Sequence, residues 1–148
     1  AMAATTVARD RHDPAAAQTS IRVLLVDDHV VMRQGLSSLL DGEPDIAVIG
    51  EAADGHEAVA RARALQPDVV LMDFSMPGLN GAGAARIICA ELPATRVVGL
   101  SMYEDAERGA VMRAAGASAY LAKSAPHEDL LAVIREHGGR RRQGPATR

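Results

Sequence analysis

Five short aliphatic runs recur along the chain, and what lies between them restricts the fold more than any other feature. The runs are Ile21–Val26, Ile46–Gly50, Val69–Met72, Val97–Leu100 and Ala119–Leu121. Apart from Arg22 and Tyr120 each is a continuous aliphatic stretch rather than an apolar and polar alternation, the pattern of parallel strands covered on both faces. Between them, apolar residues fall at helical spacing: Met32, Leu36, Leu39 and Leu40, then Ala84, Ile87 and Ile88, then Ala106, Ala110, Val111 and Ala114, then Leu130, Leu131 and Ile134. Gly35 inside the first stripe costs about 1 kcal/mol relative to alanine. Asp54 with Glu57 three residues on predicts a capping box, opening a helix that runs through Leu65 and is closed by Pro67. Pro126 suits the first turn of the last helix, Glu128 and Asp129 complement its dipole, and Gly138-Gly139 predicts its end. Alternation of this kind predicts an α/β domain with a five-stranded parallel sheet. Right-handed crossovers then bring every strand's carboxyl end to one edge.

The 148 residues suit a single domain. Residues 1–20 lack apolar periodicity and are expected to form a flexible arm, residues 21–137 the domain, and residues 138–148 a truncated linker. The four arginines of that last stretch are unopposed, and setting them aside takes the formal charge from −3 to −7, so the acidic body is not expected to bind nucleic acid itself. Cys89, the single cysteine, lies in an apolar run and is expected to be a small buried hydrophobe in a reducing compartment. No apolar run reaches bilayer-spanning length and residues 1–20 lack a signal peptide's hydrophobic stretch, so no membrane partner is expected and the location is expected to be cytoplasmic.

Polar residues follow four of the five runs: Asp27-Asp28-His29 after the first, Asp73-Phe74-Ser75-Met76-Pro77-Gly78 after the third, Ser101-Met102-Tyr103 after the fourth, Lys123-Ser124 after the fifth. The second offers only Glu51-Ala52-Ala53. In open α/β sheets ligands bind outside the carboxyl ends of the strands, so these segments converge on one site. Two carboxylates about 4 Å apart repel by on the order of 4 kcal/mol at an effective dielectric near 20, and three require a compensating cation. Oxygen donors with one nearby histidine suit Mg²⁺ better than Zn²⁺, and Mg²⁺ leaves room for a phosphoryl oxygen. Lys123, the only lysine, and the Ser101 hydroxyl supply the cation and donor that a phosphoryl group needs. Asp73, alone after the central strand and followed by the Pro77-Gly78 turn, is the candidate nucleophile for an acyl phosphate.

The strings Val26-Asp27-Asp28-His29, Met72-Asp73-Phe74-Ser75-Met76-Pro77-Gly78-Leu79-Asn80-Gly81 and Gly116-Ala117-Ser118-Ala119-Tyr120-Leu121-Ala122-Lys123 resemble the receiver (CheY-like) domain of two-component response regulators. With Arg33-Gln34-Gly35-Leu36 they resemble most closely the NarL/FixJ subfamily, whose members usually carry a C-terminal LuxR-type helix-turn-helix, a domain absent from this chain. The resemblance runs from about Ile21 to His137. It implies a flavodoxin-like (βα)5 fold with strand order 2-1-3-4-5, and phosphorylation of Asp73 by a sensor histidine kinase. It further implies Mg²⁺ (or Mn²⁺) held by Asp28, Asp73 and the backbone carbonyl of Ser75, with Asp27 acting through water. Lys123 would contact a phosphoryl oxygen, Ser101 and Tyr120 would be the switch pair, and Ser75 and Tyr103 would tune acyl-phosphate lifetime. Asn80 stands where an Asp is frequent and Ala119 where a Gly is common. Implied partners are the kinase, the chain's own DNA-binding domain, DNA only through that domain, and a homodimer on phosphorylation. The chain is expected to accept a phosphoryl group and regulate transcription without being a turnover enzyme.

Two other functions compete. An Asp-nucleophile phosphohydrolase of the haloacid dehalogenase type wants a second acid two residues after the nucleophile, where this chain has Ser75. A phosphorylation-independent receiver acting as an interaction module usually lacks an acid or the lysine, and all are present here. His29 is within reach of the metal but reads first as a surface helix-start residue, and His12, His56, His127 and His137 are scattered without ligand spacing. Lys123→Ala is expected to disable switching with the fold largely intact.

Overall fold

The computed structural model of the chain describes residues 20–74, 76, 79–102 and 106–143. Strands and helices alternate without exception: β1 Ile21–Val26, α1 Val30–Asp41, β2 Ile46–Ala52, α2 Gly55–Leu65, β3 Val69–Asp73, α3 Gly81–Glu91, β4 Arg96–Ser101, α4 Ala106–Ala114, β5 Ala119–Ala122 and α5 His127–Gln143. The five strands are all parallel, in the order β2-β1-β3-β4-β5, the doubly wound flavodoxin-like topology. The expected arm and linker lie outside the described residues at 1–19 and 144–148; Ser20, assigned to the arm, is buried.

The continuous aliphatic strands are explained by two cores. Leu24, Val26, Val70, Met72 and Val97 face one way, against alanines and Ile88 of α2 and α3 and against Met112 of α4. Val23, Leu25, Val69, Leu71 and Val98 face the other way, against Leu40 of α1 and Leu130 and Ile134 of α5. Successive residues of a strand thus serve opposite faces, and neither face can be polar. The small side chains of Ala58, Ala62, Ala84 and Ala85, all fully buried, let α2 and α3 approach the sheet closely, so the core needs few aromatics.

The helix caps follow the sequence. Asp54 accepts a hydrogen bond from Glu57 N at 2.8 Å while the Glu57 carboxylate accepts from Ala53 N at 2.7 Å. Asn80 caps α3 by accepting from Gly83 N at 2.8 Å, which any short acceptor at this place can do. One expectation fails: Gly138-Gly139 does not end α5, which continues to Gln143. Gly138 is buried in the helix, and a Cβ there would collide with Ile21 of β1 and stand 3.1 Å from Val69 of β3. This glycine is a close-approach residue, not a terminator, and the domain's last helix outruns the boundary expected at residue 137.

Cys89 is half-buried on α3 and donates its S–H to the Gly116 carbonyl at 3.4 Å. Burial pushes this thiol up, against a small opposing effect of Arg96, as suits an inert packing residue. Among the described residues no helix is long and apolar enough to cross a membrane.

Candidate functional site

Strand register brings the polar residues to one level. Val26 lies opposite Met72, Asp73 opposite Leu100 and Ser101 opposite Ala122. Asp27, Asp73, Ser101 and Lys123 therefore leave β1, β3, β4 and β5 within about one residue of a common line. All four side chains are buried, Lys123 at 4% exposure and the two aspartates at 1% and 0%.

Lys123 ties the acids together. Its Nζ stands 2.8 Å from Asp27 Oδ2 and 3.4 Å from Asp73 Oδ2, and its backbone N–H donates to the Ser101 carbonyl at 2.6 Å. Burial pushes the Asp27 carboxyl up, but the hydrogen bond and charge of Lys123, with the His29 N–H, outweigh it and hold Asp27 below its ordinary value. One ammonium still faces three carboxylates, Asp27, Asp28 and Asp73. Asp28 Oδ1 is buried with no hydrogen-bond donor aligned on it. A crowded oxygen donor set with an orphaned oxygen fits a hard divalent cation, and Asp27, Asp28 and Asp73 are the side chains that would hold it.

Ser101 ends β4 fully buried. Tyr120 of β5 is half-buried, its ring set over Gly99 of β4 and Gly109 of α4, where an added Cβ would come within 3.4 and 3.1 Å of it. The two residues proposed as a switch thus sit on neighbouring strands, with the ring against α4. Ser75, with its carbonyl, and Tyr103 lie outside the described residues.

Three residues carry more than the sequence suggested. Arg33 of α1 donates from Nε to Glu51 Oε1 at 2.9 Å and from its guanidinium to the Asp27 carbonyl. Glu51, on the strand that offered no site residue, therefore positions the β1 end through Arg33. His29 caps α1 by position, yet its side chain makes no capping hydrogen bond. Its Nδ1 turns back instead to 3.1 Å from Asp27 Oδ1 and 3.2 Å from Asp28 Oδ1. His29 does stand at the helix start with an exposed side chain, as expected, and its ring also reaches the acid pair. Beside the acidic edge lies an apolar groove of about 640 Å³ between α1, β5 and α5, lined by Met32, Leu36, Leu39, Leu121 and Leu130.

Comparison with known proteins agrees with this arrangement. The family model described as "Response regulator receiver domain" matches residues 23–135. The transcriptional regulatory protein LiaR of Bacillus subtilis is 44% identical over 115 residues, 78% of this chain and 54% of LiaR. The response regulator protein VraR of Staphylococcus aureus is 41% identical over 120 residues, 79% of this chain and 56% of VraR. The chain thus spans about half the length of the curated relatives it matches. The receiver domain of a putative NarL from Mycobacterium tuberculosis superposes with a TM-score of 0.75 at 31% identity, covering 79% of this chain and 94% of that one. A LuxR-family response regulator from Aurantimonas gives 0.75 at 34%, covering 80% and 88%. With the strand order, the acid cluster and the buried lysine already in place, these matches establish that the chain belongs to the response regulator receiver domain family, among relatives of the NarL/LuxR type.

Proposed function

We propose that Asp73 is the phosphoacceptor of a two-component response regulator and that this domain is the input switch of a transcription regulator. The observation that carries the reading is the buried Lys123 bridging Asp27 and Asp73 at 2.8 and 3.4 Å. A lysine so placed neutralises a phosphoryl oxygen on Asp73 as readily as the carboxylate itself. In the transfer, an Asp73 carboxylate oxygen forms a bond to phosphorus. The phosphorus–nitrogen bond of the kinase phosphohistidine breaks, and its electron pair leaves with the imidazole. A bound Mg²⁺ or Mn²⁺ would neutralise charge on the phosphoryl oxygens. Burial of Asp73 keeps water from the acyl phosphate, and Lys123 exchanges an acid for the new phosphoryl group. Ser101, one residue short of the level of Lys123 on the neighbouring strand, is placed to donate its hydroxyl to that group, and Tyr120 to follow by moving toward the space Ser101 leaves, altering the α4–β5 surface.

The chain accepts a phosphoryl group without turning over a substrate. Its partners are a sensor histidine kinase and a DNA-binding domain joined beyond α5, DNA being contacted through that domain alone, with a homodimer formed on phosphorylation and a cytoplasmic location. Support for a transcriptional output comes from the names of the relatives and from the matched segment being only about half of their length. The test is incubation with acetyl phosphate and Mg²⁺ followed by intact mass measurement. The wild-type chain gains one phosphoryl group and Asp73→Asn gains none; no gain in wild type, or an equal gain in the variant, overturns the reading.

A further inference from the structure

We propose that His29 is an inner ligand of the cation site, making it a mixed nitrogen and oxygen site that favours Co²⁺, Ni²⁺ and Zn²⁺ over Mg²⁺. The inference rests on the reading of the acidic edge as a cation site and adds a donor to it. Three observations on the molecule carry it. The ring nitrogen lies 3.1 Å from Asp27 Oδ1 and 3.2 Å from Asp28 Oδ1. Adjacent ligands of an octahedral ion with bonds of about 2.1 Å stand about 3.0 Å apart, so these atoms already have the separation of neighbouring ligands. Asp27, Asp28, His29 and Asp73 each place one ligand atom within 4.8 Å of all the others, about the span of one coordination sphere. Finally, the His29 imidazole is not spent on capping α1, the ordinary task of its position; it is 60% exposed, and its Nδ1 is held to Asp27 Oδ1 by a 3.1 Å hydrogen bond that a bound ion would replace.

The chemistry of the donor decides which ions gain. Carboxylates and water suit Mg²⁺, which dehydrates reluctantly, whereas imidazole suits the later first-row ions. A nitrogen added to three carboxylates therefore raises affinity for Co²⁺, Ni²⁺ and Zn²⁺ far more than for Mg²⁺. The residue immediately after the acid pair then selects which divalent ion occupies the edge, and a later first-row ion competes with Mg²⁺ for it.

The test compares wild type with His29→Ser, in which serine caps α1 without an imidazole, and with His29→Ala, all checked for folding by thermal unfolding. Calorimetric titration with Mg²⁺ and with Ni²⁺ gives the ratio of affinities, and proton spectra of the Co²⁺-loaded chain show any imidazole bound to the ion as shifted, exchangeable N–H signals. The expected result is a shifted imidazole signal in wild type that both variants lose, with the Ni²⁺ to Mg²⁺ affinity ratio falling about tenfold or more. An unchanged ratio, a wild-type Co²⁺ spectrum without the signal, or a signal that persists in both variants overturns the proposal. Should wild type bind Mg²⁺ and yet show no imidazole signal, the role of His29 fails while the acidic edge remains a cation site. Should it bind none of these ions, both fail.

Discussion

Lys123 at the carboxyl edge of the sheet is 4% exposed and touches two buried acids, whereas Arg135, near the amino end of β2, is 41% exposed and grips Asp45 and Glu43 with three hydrogen bonds of 2.7–2.9 Å. The exposed cluster has the better hydrogen bonding and the smaller consequence, since water screens it and competes for every contact. The buried cluster has looser geometry, including a 3.4 Å contact, and three acids to one base where the exposed cluster has two. Ideal pairing marks the place where charge has only a structural task. Imperfect pairing under burial marks the place where a further charged species, an ion or a phosphoryl group, completes the set.

The sharpest way to break this comparison is to remove each cation. Lys123→Ala leaves Asp27 buried and uncompensated, and a loss of about 3–5 kcal/mol is expected in denaturant unfolding at neutral pH. This revises the expectation from sequence that the fold would tolerate that change, because burial of the lysine became visible only in the structure. If the loss is under about 1 kcal/mol, the two clusters are energetically alike and the contrast fails.

The same variant has a pH signature. Asp27 is held below its ordinary value of 3.8, so its pairing stabilises the fold above that pH and the contribution disappears as pH falls below it. Without Lys123, burial acts to raise the Asp27 carboxyl, and protonation relieves the variant. The stability gap between wild type and Lys123→Ala is therefore expected to narrow as urea melts are moved from pH 7 toward pH 3; a gap that widens contradicts the assignment.

A smaller effect separates charge from packing in α5. Gly138→Ala drives a methyl into Ile21, and a cost of about 1–3 kcal/mol is expected from thermal unfolding. Arg135→Ala, on the same helix, is expected to cost at most about 1 kcal/mol and to cost less in high salt. The reverse order would mean that the helix is held by its charges rather than by its fit.

The elements themselves were legible because both cores demand aliphatic residues on successive positions of each strand, which leaves a signal independent of tertiary detail. Asp27, Asp28, Asp73, Ser101 and Lys123 were legible because a parallel sheet sends every strand end to one edge. Three features were hidden. Gly138 has a terminator's sequence signature, and only the proximity of Ile21 shows why the helix passes through it. The service of Arg33 and Glu51 to Asp27 spans three elements and has no local pattern. The direction of the His29 ring is a rotamer choice, and sequence spacing carries no information on it, although an acid pair followed at once by histidine was a signal that could have been weighed more heavily.

The scarcity of lysine has a practical consequence once its burial is known. An acylating reagent meets one side-chain amine in the whole chain, and that amine is reached only when the carboxyl edge opens. With reclosing fast relative to acylation, the labelling rate of Lys123 counts those openings, as amide exchange does for a backbone group. Anything that tightens the edge slows the count, and anything that prises β5 from β4 accelerates it, so one mass measurement over time becomes a clock for local breathing.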